Sequence, residues 1–152
     1  VISQGSGKLW NGHTYMSHAV AAAAALAVQE YIESENLHDN IRVRGRQLEG
    51  CLQSAFSTHP HVGDIRGRGL FWSIELVEDK ASKKPYAATD QIAIKIGAAA
   101  LENGMMCYPT QGCANGIDGD HVLLAPSYTS SADEITTIVE LLERAVSVVV
   151  GD

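Results

Sequence analysis

The chain has 152 residues, 45 % of them hydrophobic, with 11 basic against 18 acidic side chains and a net charge of −7. That length suits one ordinary domain with a real core, and the acidic balance speaks against a nucleic-acid or anionic-membrane partner. No apolar run reaches the roughly 20 residues of a membrane span. Cys51, Cys107 and Cys113 are odd in number and lack metal-type spacing, which fits reduced thiols in the cytosol better than a disulfide framework.

The chain opens on Val1 rather than methionine and shows no signal peptide, which points to a piece of a longer polypeptide. Residues 1–13 are rich in glycine and serine and read as an irregular connector. Gly5-Ser6-Gly7-Lys8 is not a phosphate loop. Ile2 stands where its first glycine belongs, and Leu9 where the magnesium-holding Ser or Thr belongs.

A long helix is expected over 17–35, with Ser17 as N-cap and an alanine face, Ala21 to Ala25, suited to close packing. Glu33 and Glu35 sit at the unfavourable end of its dipole, so fraying is expected there. A second helix should cover 40–57 on the spacing of Ile41, Leu48, Leu52, Ala55 and Phe56. Its Arg42, Arg44 and Arg46 read as a solvated basic face rather than a binding patch. Residues 62–66 and 70–77 are strand-like, and Gly67-Arg68-Gly69 between them permits a tight antiparallel reversal. Residues 78–89 form a polar loop with Pro85. A third helix follows from residue 89 or 90 to 103, stopped by Asn103-Gly104. Short strands are expected over 105–108, ended by Pro109, and over 121–125, closed by Pro126. Ser131-Ala132-Asp133-Glu134 is a capping box that opens a final helix to residue 149. The expected class is α+β: a small, largely antiparallel sheet covered by helices.

Asn11-Gly12-His13-Thr14-Tyr15-Met16-Ser17-His18 leads into the alanine-rich helix. A polar loop at a helix start offers backbone N–H groups, a hydroxyl and an imidazole to an anion. The alternative is a plain loop in which Thr14 hydrogen-bonds locally. His59 and His61 form a His-x-His pair without a third ligand at metal spacing and read as surface histidines.

Four blocks stand in order: 12–18 with the alanine helix; Val62-Gly63-Asp64-Ile65-Arg66-Gly67-Arg68-Gly69-Leu70 with Ile74-Glu75-Leu76; Glu102-Asn103-Gly104-Met105; and Gly119-Asp120-His121-Val122-Leu123-Leu124-Ala125-Pro126. In this register the chain resembles the C-terminal third of the class III pyridoxal-phosphate-dependent aminotransferases of fold type I. The resemblance implies that residues 1–37 are a remnant of the large domain with its connecting long helix, and that 38–152 form the small C-terminal domain. It implies that Thr14, beside His13, binds the phosphate of pyridoxal 5'-phosphate held by the other subunit of a homodimer. It also implies that the Schiff-base lysine lies upstream, since none of Lys8, Lys80, Lys83, Lys84 and Lys95 sits in a matching motif. The chain alone should therefore be inactive. The parent would be a cytoplasmic enzyme moving an amino group from an amine or amino acid to a keto acid.

Members that grip an α-carboxylate often carry arginine at the place of Leu123, and no mobile arginine precedes Gly119. An amine or ω-amino acid donor is therefore expected, with Tyr108, Gln111 and Tyr128 lining the substrate entrance. Arg66 and Arg68 remain alternative carboxylate ligands, although Arg66 reads first as a hydrogen-bonding prop of the strand pair. A family aminomutase or decarboxylase, or a stand-alone α+β binding module, are the other readings.

Overall fold

The computed structural model describes residues 4, 5, 7 and 12–151; Ser6 and Lys8 of the glycine–serine connector, and Asn11, lie outside the described residues. The chain divides into two compact units, Val1–Asn36 and Leu37–Asp152.

The first unit holds helix α1, Ala19–Ser34, and none of its residues is buried. Its N-cap is His18, not Ser17. The His18 Nδ1 accepts the Ala21 N–H at 3.0 Å, filling an amide that has no partner within the helix. Ser17 instead adopts φ +59, a left-handed turn conformation incompatible with the extended backbone of an N-cap.

The second unit is an antiparallel sheet with helices on one face. Helix α2 spans Leu37–Phe56 and begins earlier than its apolar spacing suggests; Leu37 is buried, and Asn36 just before it takes φ +50. Strands β1 (Val62–Arg68) and β2 (Phe71–Asp79) pair antiparallel as expected, in a register that sets Arg66 opposite Ser73 and Asp64 opposite Glu75. Gly69 makes the reversal with φ +59. The segment read as a plain polar loop carries a two-residue strand β3, Lys84–Pro85, on β2, and then a 3₁₀ turn at Ala88–Asp90. Helix α3, Ile92–Glu102, stops at Asn103 with Gly104 at φ +85.

Strand β4 is Tyr108–Gln111 rather than 105–108, so Pro109 lies inside the strand instead of ending it. The sheet order β1-β2-β5-β4 puts β4 at an edge, where a residue without an N–H is tolerated. Strand β5, Asp120–Leu124, pairs antiparallel with both β2 and β4. Helix α4, Ala132–Val150, starts on the expected capping box: Ser131 Oγ accepts the Glu134 N–H and Glu134 Oε2 accepts the Ser131 N–H at 2.7 Å.

Alternation along the strands sorts the sheet into two faces. Trp72, Ile74, Leu76, Val122 and Leu124 point to the helices and pack with Leu48, Leu52, Phe56, Ile96, Ile135 and Leu142 in one core. Each such side chain contributes about 1.5–3 kcal/mol on burial. The opposite face carries Arg66, Ser73, Glu75, His121, Leu123 and Tyr108, paired across the strands. The architecture is the expected α+β layer.

Candidate functional site

Residues 12–18 form a tight loop held by its own backbone. Met16 donates to the His13 carbonyl at 2.9 Å and His18 to the Tyr15 carbonyl at 3.1 Å. These bonds leave the amides of Thr14, Tyr15 and Ser17 without an acceptor among the described residues. The Thr14 hydroxyl likewise has no hydrogen-bond partner among them, so the local bond that would retire it from binding is not made. His13 and Thr14 are both exposed. The arrangement can take a phosphate: a free hydroxyl and free N–H groups, next to the positive end of α1.

On the open face of the sheet, Arg66 bridges β1 and β2. Its Nη1 donates to Asp64 Oδ2 at 2.9 Å and to Glu75 Oε2 at 2.6 Å. The hydrogen bond to Glu75, then that to Asp64, raises the Arg66 pKa further. Arg66 is thus the strand-pair prop that its turn setting suggests, while Arg68 carries no ion pair among the described residues. Ser73 Oγ and His121 Nδ1 are buried with no hydrogen-bond partner among the described residues, and both line a cavity of about 370 Å³ with Arg66, Phe71 and Leu123. Buried polar atoms almost always have partners, so these two mark the open face as polar ground still to be met.

Asp120 carries a role that sequence reading did not assign. Fully buried at the start of β5, it accepts the Ala93 N–H on Oδ1 at 2.8 Å and so caps the first turn of α3. Burial pushes its carboxyl pKa up, against the Ala93 bond that lowers it. The signal was available in Asp120 standing just before an apolar strand, but its partner lies 27 residues away.

The expected substrate-entrance residues do not come together as one group. Tyr108 lines a cavity of about 210 Å³ with Leu123, Ala125 and Pro126, whereas Tyr128 lines one of about 660 Å³ that shares Ala125 and Pro126. Gln111 donates to the Ala88 carbonyl at 3.2 Å. Lys80 is tied to the Ser57 and His59 carbonyls, Lys83 to the Gly63 carbonyl and Lys84 to Glu78.

His59 and His61 are structural. His59 Nδ1 accepts the His61 N–H at 3.1 Å, which leaves Nε2 to donate to the Gly151 carbonyl at 3.0 Å. His61 Nδ1 lies 2.8 Å from the Tyr86 hydroxyl. Among the described residues no three His, Cys, Asp or Glu side chains gather as metal ligands, and no helix is long and apolar enough to cross a membrane. Burial raises the pKa of the Cys107 and Cys113 thiols, so neither is an activated nucleophile.

Against known proteins, the family profile "Aminotransferase class-III" matches residues 1–146. An aminotransferase of Gibberella zeae is 42 % identical over 151 residues, which are 99 % of this chain and 30 % of that protein. The crystal structure of adenosylmethionine-8-amino-7-oxononanoate aminotransferase from Methanocaldococcus jannaschii superposes with a TM-score of 0.81 at 31 % identity, covering 95 % of this chain and 31 % of that one. A thermostable omega transaminase 6-fold mutant from Pseudomonas jessenii gives a TM-score of 0.79 at 35 % identity, over 99 % of this chain and 32 % of that one. The chain spans about a third of the length of the proteins it matches.

Proposed function

The chain belongs to the class III aminotransferases, and on that premise we propose that it forms the C-terminal part of a pyridoxal-phosphate enzyme that moves an amino group from an amine or amino acid to a keto acid. Residues 1–37 belong in this reading to the large domain and the long connecting helix, and 38–152 are the small domain. The observation that carries it is the Thr14 loop, in which the Thr14 hydroxyl and the Thr14, Tyr15 and Ser17 amides have no partner among the described residues.

The Thr14 hydroxyl and the loop amides donate to phosphate oxygens, and the α1 dipole adds to their field. His13 stands next to them as a further donor. When bound, pyridoxal phosphate supplies an electron-withdrawing ring that eases loss of a proton from the donor carbon. The phosphate held here is that of the partner subunit in a homodimer. The lysine of the reaction comes from polypeptide outside this chain; Lys80, Lys83 and Lys84 are already committed to carbonyl or carboxylate oxygens. Leu123, where an α-carboxylate-gripping arginine would stand, favours an amine or ω-amino acid donor. The three free cysteines suit a cytoplasmic setting.

The test is Thr14→Ala in the parent enzyme. A hydrogen bond to a charged group is worth about 1.5–3 kcal/mol, so retention of pyridoxal phosphate should weaken by roughly tenfold or more. Affinity for pyridoxal, which has no phosphate, should be unchanged. Equal weakening of both, or of neither, overturns the assignment.

A further inference from the structure

A cavity of the second unit lies between the N-terminal half of α2 and the β1–β2 reversal, with Ala125, Pro126 and Tyr128 on its remaining side. Its volume, about 660 Å³, falls within the range of small-molecule sites. Its walls are fixed to one another. Gly45 of α2 abuts the Gly69 backbone, Trp72 Nε1 donates to the Gly69 carbonyl at 2.8 Å, and Asn40 Nδ2 donates to the Tyr128 and Ser130 carbonyls at 2.7 and 3.0 Å. The pocket is therefore preformed rather than a gap between loose segments.

Its chemistry is at odds with that of the chain. In a protein of net charge −7, Arg42, Arg46 and Arg68 all face this one cavity. Arg42 is paired with Asp39. Arg46 and Arg68 have no ion-pair or hydrogen-bond partner among the described residues, and Glu49 is the only acidic side chain in the lining. Of the three arginines of α2, Arg42 and Arg46 are exposed, as a solvated face requires, and both line the cavity, while the half-buried Arg44 donates to Gln47. The rest of the wall is apolar or aromatic, with the exposed Phe71 and Tyr128 beside the largely buried Leu70 and Trp72. A guanidinium fork matches a planar carboxylate, and an aromatic wall matches an apolar body.

We propose that this cavity is a binding site for a small organic carboxylate with an apolar or aromatic body, its carboxylate held by Arg46 and Arg68 and its body against Phe71 and Trp72. Inorganic phosphate would satisfy the arginines but leave the aromatic wall without a partner. Nucleic acid is disfavoured by the charge of the remaining surface. The inference rests on the cavity alone and stands whether or not the Thr14 loop holds a phosphate.

The experiment is a titration of the chain with 3-phenylpropionate, 3-phenylpropionamide and inorganic phosphate, read by NMR at the Trp72 indole N–H. The expected result is a saturable shift with 3-phenylpropionate and at least tenfold weaker binding of the neutral amide and of phosphate. Arg46→Gln/Arg68→Gln should weaken 3-phenylpropionate at least tenfold with the amide spectrum otherwise preserved. No saturable shift, equal binding of acid and amide, phosphate as tight as the acid, or an unaffected double variant each overturns the proposal. The acid–amide comparison is made on the unaltered chain, so it decides even if the double variant does not fold.

Discussion

Gly45 of α2 packs directly on Gly69 of the β1–β2 reversal: a Cβ added to Gly45 would sit 2.5 Å from the Gly69 carbonyl oxygen and 2.7 Å from its carbon. Both partners in that contact are backbone, so neither can rotate away. The helix approaches the hairpin this closely because neither side carries a side chain.

Gly45→Ala therefore removes a helix-interior glycine, which alone would help by roughly 0.5–1 kcal/mol, yet should lower stability. Forced overlap in a packed site costs about 1–3 kcal/mol. Clash outweighs propensity. Urea unfolding should show a lower midpoint with an unchanged slope, while Gly50→Ala on the same helix, where nothing lies within 4 Å of the added Cβ, should be neutral or stabilising. A more stable Gly45→Ala variant would contradict the contact.

Arg66→Ala should leave Asp64 and Glu75, opposite one another across β1 and β2, as facing like charges. The side chains are 50 %, 44 % and 28 % exposed, so solvent screening holds each ion pair to about 0.2–1 kcal/mol. The loss should be seen at neutral pH and shrink as acid protonates the carboxylates. It should also fall in high salt. A pH-independent loss measured by thermal unfolding at several pH values would mean that Arg66 acts through packing instead.

Asp120 gives a pH dependence of the other sign. Burial raises its folded-state pKa, so the folded chain holds that proton when the unfolded chain, at an ordinary value of about 3.9, has released it. Its contribution to stability is then greatest below the ordinary value and declines as pH rises through the folded one. Asp120→Asn keeps an oxygen for the Ala93 N–H and removes the titration. The melting-temperature difference, variant minus wild type, should therefore climb with pH above about 4 and then level off. A flat or falling difference would show that Asp120 is not destabilised by its surroundings.

What could be read in the sequence was whatever depended on neighbours along the chain. The Ser131–Glu134 box, the Asn103-Gly104 stop and the antiparallel pair around Gly69 are all local, and all are present. Pro109 misled because its tolerance depends on β4 being an edge strand, a property of sheet order that no local stretch contains. Ser17 lost the cap to His18 because an imidazole Nδ1 reached the Ala21 amide while Ser17 went into the turn. At the candidate site, the backbone turn of residues 13–18 is local in the same way. Arg66 could be read as a prop of the strand pair, but its partner Glu75, the unpartnered Ser73 and His121 and the Asp120–Ala93 cap could not, since each needs the strand register or the α3 start to bring its members together.

Helix α1 has 16 residues and buries none of them, while Val20, Leu26 and Tyr31 are 74 %, 60 % and 52 % exposed. Most helical stability in proteins comes from packing of an apolar face rather than from propensity, and α1 buries no such face. Whatever surface comes to cover it would therefore order the helix as well as dock on it. The docking should carry the calorimetric mark of coupled folding, a negative heat-capacity change together with a large favourable enthalpy opposed by entropy.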